Sequence, residues 1–147
     1  MTTLTFYQTT TATPEQFVAG LTDFGPGRKK LFVNSADGYL KVHSQSEGHA
    51  DVTEGSAGIW ERLTYDWSDP GRVVLTTTDS NVWGGASGHT YTLSRLPDGG
   101  TSIEVVVVRE AKNFKGRLLE IAVRIVGKRK LTNDFAKTVK AIEARAG

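Results

Sequence analysis

The chain has 147 residues, with 18 Lys plus Arg against 16 Asp plus Glu and a formal net charge of +2. That length suits one domain, residues 1–147, with a hydrophobic core of its own, and so small a charge excess is no nucleic-acid signature. The absence of Cys excludes disulfides, thiol nucleophiles and thiolate metal sites, and no run is long and apolar enough to span a membrane.

The opening residues, MTTLTFYQTTT, contain neither a basic region nor an apolar signal segment, so a cytoplasmic protein is expected. Residues 3–10 alternate as a strand, with Leu4, Phe6 and Gln8 on one face and Thr5, Tyr7 and Thr9 on the other. Thr13 is placed to cap a helix that Pro14 starts, and Gln16 completes a capping box. The helix carries Phe17, Val18 and Leu21 and ends at Gly25-Pro26-Gly27. A second short helix is expected over residues 28–32.

Strands then follow one another. Residues 39–46 alternate, with Leu40 and Val42 opposed to Lys41 and His43. Residues 49–55 read as a short edge strand. Residues 58–67 set Ile59, Glu61, Leu63, Tyr65 and Trp67 on one face, with Trp60, Arg62, Thr64 and Asp66 on the other. Asp69-Pro70-Gly71 makes a turn, residues 72–78 form a strand, and a Gly-rich loop spans 79–88. Residues 88–96 and 101–110 complete the sheet around the turn Pro97-Asp98-Gly99-Gly100. Short turns favour antiparallel hairpins over crossovers.

The last stretch, residues 114–145, reads as one long helix. Leu118, Ile121, Ala122, Ile125 and Val126 recur at helical spacing, followed by Leu131, Phe135, Val139 and Ile142. Gly127 marks a bend or a close approach where the apolar stripe changes register. The whole is an α+β fold: a curved antiparallel sheet wrapped around a long C-terminal helix, with two short helices after the first strand.

The opening strand followed by TATPEQFVAGLTDFGPG, the run of strands and the closing KRKLTNDFAKTVKAIEA resemble the START-like (SRPBCC) superfamily, in its polyketide cyclase/dehydrase and lipid-transport-like branch. The resemblance covers nearly the whole chain and rests on patterns of fold. It implies a helix-grip architecture with a cavity between sheet and last helix, and a small hydrophobic ligand such as a lipid, a polyketide or an aromatic molecule. It implies no particular reaction, because no family-wide catalytic pair is present.

Strand parity nominates Glu61, Leu63, Tyr65, Trp67, His89, Tyr91 and Arg109 as cavity residues, with Leu118, Ala122 and Ile125 closing the space from the helix. A buried lone charge is expensive, so Glu61 and Arg109 need each other or water. Of the three histidines, His43 belongs to the solvent face, His49 to a polar segment, and His89 to the cavity face. No HExxH or other close metal triad occurs, so neither metal nor cofactor is expected. Trp83 serves either as a gate or contact point, or as a plug under its loop. Arg28-Lys29-Lys30 and Lys128-Arg129-Lys130 read as solvated charged faces, not as a footprint for nucleic acid or an acidic membrane. Val74, Val106 and Val108 on the outer sheet face leave monomer and homodimer both open. Three functions are consistent with these residues: binding of a hydrophobic ligand, a cyclase/dehydrase-type enzyme moving protons through His89, Tyr65 or Glu61, and an interaction protein with a vestigial cavity.

Overall fold

Side-chain alternation along each strand decides which face of the sheet closes on the C-terminal helix. In the computed structural model, which describes residues 1–146, β1 (Thr2–Thr10) is followed by α1 (Pro14–Leu21) and a 3₁₀ turn (Arg28–Lys30). Six further strands follow: β2 (Lys41–Ser46), β3 (His49–Ser56), β4 (Ile59–Asp66), β5 (Arg72–Ser80), β6 (Gly88–Arg95) and β7 (Thr101–Arg109). Every pairing is antiparallel, in the order β1-β7-β6-β5-β4-β3-β2. The sheet is curved and not closed, and the chain ends in a 33-residue helix, which makes this a helix-grip fold.

The local signals act as the residues dictate. The Thr13 hydroxyl accepts from the Gln16 N–H at 3.2 Å, and the Gln16 side chain accepts from the Thr13 N–H at 2.8 Å. These reciprocal bonds satisfy donors that helix geometry leaves free. One strand assignment needs correction. Residues 49–56 are not an edge: β3 lies between β2 and β4, and buries Ala50, Val52 and Glu54. The edge on that side is β2, exposed along its whole length and bulged between Val42 and Ser44, and β1 is the other edge. A short, polar, bulged strand is how an open sheet discourages further pairing.

The long helix has three parts: α2 (Phe114–Ala122), a π turn (Val123–Gly127) and α3 (Lys128–Ala146). A π turn accommodates one extra residue, so α2 is rotated by about one residue, roughly 100°, relative to a straight continuation of α3. The inward residues of α3 are Phe135, Thr138, Val139 and Ile142. Counted back at three and four, they would bring Ile125, Ile121 and Leu118 inward. The π turn instead turns Gly116, Glu120 and Gly127 inward. Gly127 permits this approach, since a Cβ there would sit 3.3 Å from Leu4 Cδ1 and 3.0 Å from Val123 Cγ1.

The core is continuous from sheet to α3. Phe135 meets Phe6, Phe17 and Tyr91 at ring-centroid distances of 5.8–5.9 Å, and Ile142 fills the notch left by Gly20 on α1. Replacing Ile142, which is 1% exposed, by Ala should lower unfolding free energy by about 2–4 kcal/mol. Urea denaturation followed by circular dichroism measures that loss.

Candidate functional site

While α3 packs on β1 and α1, α2 packs chiefly against its own continuation through the π turn. The space between α2, the π turn and the sheet is a cavity of about 480 Å³. Its walls are mainly apolar, drawn from Phe6, Leu63, Leu75, Val105 and Val107 on the sheet and Leu119, Val123 and Leu131 on the helix. At the rim, exposed Val33, Asn34 and Ala57 on one side and Ala122, Val126 and Lys130 on the other also border it.

Two polar clusters interrupt these walls. The first is built on Glu61 of β4, whose carboxylate accepts two bonds from Arg109, 2.7 Å from Nη1 and 3.2 Å from Nη2. It also accepts from the Thr77 hydroxyl at 2.7 Å. Burial alone would raise the Glu61 carboxyl, but the Arg109 guanidinium outweighs it and holds the group below its ordinary value. Arg109 lies over the Trp83 ring at 5.1 Å. Its Nη2 is 3.3 Å from His89 Nε2, and His89 stacks on Tyr91 with an interplanar angle of 13°.

Burial first, and the Arg109 charge second, lower the His89 pKa to about 4 against an opposing pull from Glu61. The imidazole is therefore neutral at pH 7. Arginine only donates, so Nε2 accepts and the ring proton sits on Nδ1. That Nδ1 is the one buried side-chain polar atom without a hydrogen-bond partner among the described residues.

The second cluster surrounds Arg28, which is 2% exposed. Its Nε donates to Glu54 Oε1 at 2.6 Å. Nη1 donates to the Asp23 carbonyl at 2.6 Å, and Nη2 to the Leu21 carbonyl at 2.9 Å and the Tyr65 hydroxyl at 3.1 Å. The guanidinium is flanked by the rings of Phe24 and Phe32 at 4.6 and 4.5 Å, an arrangement that favours a desolvated cation. Glu54 also accepts from Ser35 at 2.8 Å and from the Tyr65 hydroxyl. Burial and the Glu54 charge push the Tyr65 phenol well above its ordinary value.

Of the residues nominated from sequence, Glu61, Leu63, Tyr65, His89, Tyr91, Arg109 and Ala122 line the cavity. Trp67, Leu118 and Ile125 do not. Trp67 follows the end of β4, and its N–H donates to the Gly48 carbonyl at the β2–β3 turn, so the ring packs half-buried on the core away from the cavity. Leu118 and Ile125 face solvent, 54% and 75% exposed, because the π turn rotates them outward. Leu119 and Val123 take the inward places. Trp83 is a plug: it is 6% exposed and bridged through its backbone to Ala111.

Sequence reasoning missed Arg28 and Glu54. Glu54 shares parity with Ala50 and Val52, a signal that was available. Arg28 is concealed in a basic run, and only its four-residue spacing from Phe24 and Phe32 hinted at ring contacts.

No family model and no curated protein matches this sequence. Solved structures do match its fold. A protein from Thermus thermophilus is 13% identical with a TM-score of 0.77, over 99% of this chain and 100% of that one. The Zhui aromatase/cyclase from Streptomyces sp. R1128 is 15% identical with a TM-score of 0.71, over 99% and 96%. A START superfamily protein from Mycobacterium smegmatis is 11% identical with a TM-score of 0.67, over 97% and 95%. At these identities the likeness is one of fold, and the fold is START-like.

Removing one member of a buried ion pair strands the other. Arg28→Met should cost about 3–5 kcal/mol, and Arg28→Met with Glu54→Gln should recover much of it; urea midpoints of both variants test this. His89 adds a pH dependence. Its folded pKa of about 4 lies below the ordinary histidine value of 6.5, so between those values the unfolded chain binds the proton and the folded chain does not. Stability should therefore fall as pH drops through that window, by about 3 kcal/mol in total. Urea midpoints across the window should show the loss, and His89→Gln should flatten it.

Proposed function

We propose that this chain binds one small hydrophobic molecule, a lipid, polyketide or aromatic compound, in the cavity between sheet and C-terminal helix. The observation that carries this reading is an apolar space of about 480 Å³ whose charged residues are already paired. Its size falls within the span of about 300–1,000 Å³ usual for small-molecule sites. Because Arg28–Glu54 and Arg109–Glu61 satisfy each other, a neutral ligand need not supply a counter-charge. Apolar burial supplies affinity, and covering about 200 Å² of apolar ligand surface is worth on the order of 5 kcal/mol before the costs of association. An open space of this size also weighs against a vestigial, collapsed cavity.

A cyclase/dehydrase-type enzyme is the second reading, favoured by a neutral imidazole at the cavity wall and by the fold shared with the Streptomyces aromatase/cyclase. The proton affinities favour binding over catalysis. With a pKa of about 4, His89 is a weak base. Glu61 is held low by Arg109, and Tyr65 is held high by burial. General acid–base groups work best with pKa values near the operating pH.

Native mass spectrometry of gently purified protein, followed by denaturing extraction, tests for a co-purifying molecule. Displacement of the neutral probe N-phenyl-1-naphthylamine by decanol and by naphthols tests the empty protein. Leu119→Trp, which fills the cavity from α2, should weaken displacement about ten-fold or more while leaving the melting temperature nearly unchanged. Unaltered binding in that variant places the ligand elsewhere, and a product of changed mass in the extract favours the enzyme.

A further inference from the structure

The residues that the π turn rotates outward make a surface of their own. Phe114, Leu118, Ile121 and Ile125 are 75, 54, 50 and 75% exposed. At about 100° per residue they lie within roughly 60° of arc, one stripe along α2 and the π turn. Solvated helices put charge on such a face; here four large apolar side chains occupy it.

Charge surrounds the stripe with one sign. Between residues 112 and 130 stand Lys112, Lys115, Arg117, Arg124, Lys128, Arg129 and Lys130, and the single acid is Glu120. Glu120 is turned inward, where it accepts from the Thr2 hydroxyl at 2.9 Å and the Ala111 N–H at 3.1 Å and meets the N-terminal ammonium at 3.2 Å. Lys112, Arg124 and Lys130 are paired with Asp79, Glu120 and Asp134 at 3.3, 3.2 and 2.9 Å, which leaves Lys115, Arg117, Lys128 and Arg129 to make the outer face apolar and cationic. Next around the helix come Ala122 and Val126, both exposed and both bordering the cavity, so apolar surface runs from the outer stripe over the rim into the interior.

We propose that this face docks on an anionic lipid bilayer, with Phe114, Leu118, Ile121 and Ile125 among the acyl chains and the flanking Lys and Arg side chains among the headgroups. An amphipathic helix lying in the interface has this composition, and basic residues beside the stripe add attraction to anionic lipid. A second copy docked helix to helix would bring two cationic faces together, each carrying Lys115, Arg117 and Arg129, a repulsive arrangement. No described helix is long and apolar enough to cross a membrane, so the contact is peripheral. It places the cavity rim at the lipid surface.

Flotation of the full chain with vesicles tests the proposal. Wild type should float with phosphatidylcholine vesicles containing phosphatidylglycerol, weakly with phosphatidylcholine alone, and less as salt rises. Leu118→Asn with Ile125→Asn, and separately Arg117→Gln with Arg129→Gln, should each weaken binding about ten-fold or more. All four positions are exposed, so melting temperatures should not move. Two results overturn the proposal: no flotation with anionic vesicles at low salt, or equal flotation by wild type and the Leu118/Ile125 variant. A concentration-dependent dimer in light scattering, abolished by that variant and unaccompanied by vesicle binding, overturns it in favour of a second copy. No cargo is needed, so failure of a ligand screen and failure of membrane docking are read separately.

Discussion

Two carboxylates face each other across neighbouring strands, and much of the interior is arranged to tolerate them. Glu54 on β3 pairs in register with Glu61 on β4, and both point to the cavity side of the sheet. Like charges directly opposite on a sheet face repel, and burial removes the water that would screen them. Each is answered by an arginine brought from a different part of the chain. Arg28 comes from the 3₁₀ turn after α1, and Arg109 from the end of β7. The first pairing ties the helical segment after β1 to the far half of the sheet; the second ties β7 to β4 across the intervening β5 and β6. The curvature of the sheet thus has an electrostatic component beside the apolar one.

These pairings bear on what the cavity offers a visitor. The arginines are saturated by carboxylate, carbonyl and ring contacts, so neither stands as a free cation for an acidic ligand. His89, kept uncharged by burial and by Arg109, adds no charge either. A ligand bound there as proposed would be selected by shape and apolar surface, not by net charge. His89 and Arg109 sit beside Trp83, whose ring lies against the Arg109 guanidinium.

Much of this was legible before any coordinates. Strand parity located Glu61, Leu63, Tyr65, His89, Tyr91 and Arg109 on one face, because alternation is a two-residue rule that survives wherever the inner face is apolar. The register does slip between β4 and β5, where Thr78 is extra, but the slip falls on β5 and leaves the β4 face intact. Parity failed for Trp67 because the strand had already ended. Helical periodicity was less secure. Leu118, Ile121, Ala122, Ile125 and Val126 form an apolar arc so broad that it allows more than one inward direction, and no local residue announces a π turn. Gly127 was recognisable as a discontinuity, but not as one that turns the preceding helix. Arg28 illustrates a different limit: in a run of three basic residues, which one goes inside depends on the tertiary position of Phe24, Phe32 and Glu54.

The π turn also has a genetic reading. Its wider ring is what remains when one residue is inserted into an α-helix whose two ends are already anchored. Here the anchors are Asn113, which caps α2, and the packed residues of α3. Loss of a single codon between residues 123 and 127 would restore regular α geometry while Gly116 and Glu120 keep facing inward and Leu118 and Ile121 outward, because the π turn absorbs the extra residue within its own ring. The outer stripe on α2 and the inward face beneath it would both be kept. In lineages sharing this fold, a one-residue length difference at this point is therefore one the helix can gain or lose with both flanking faces, and the strands, left as they are.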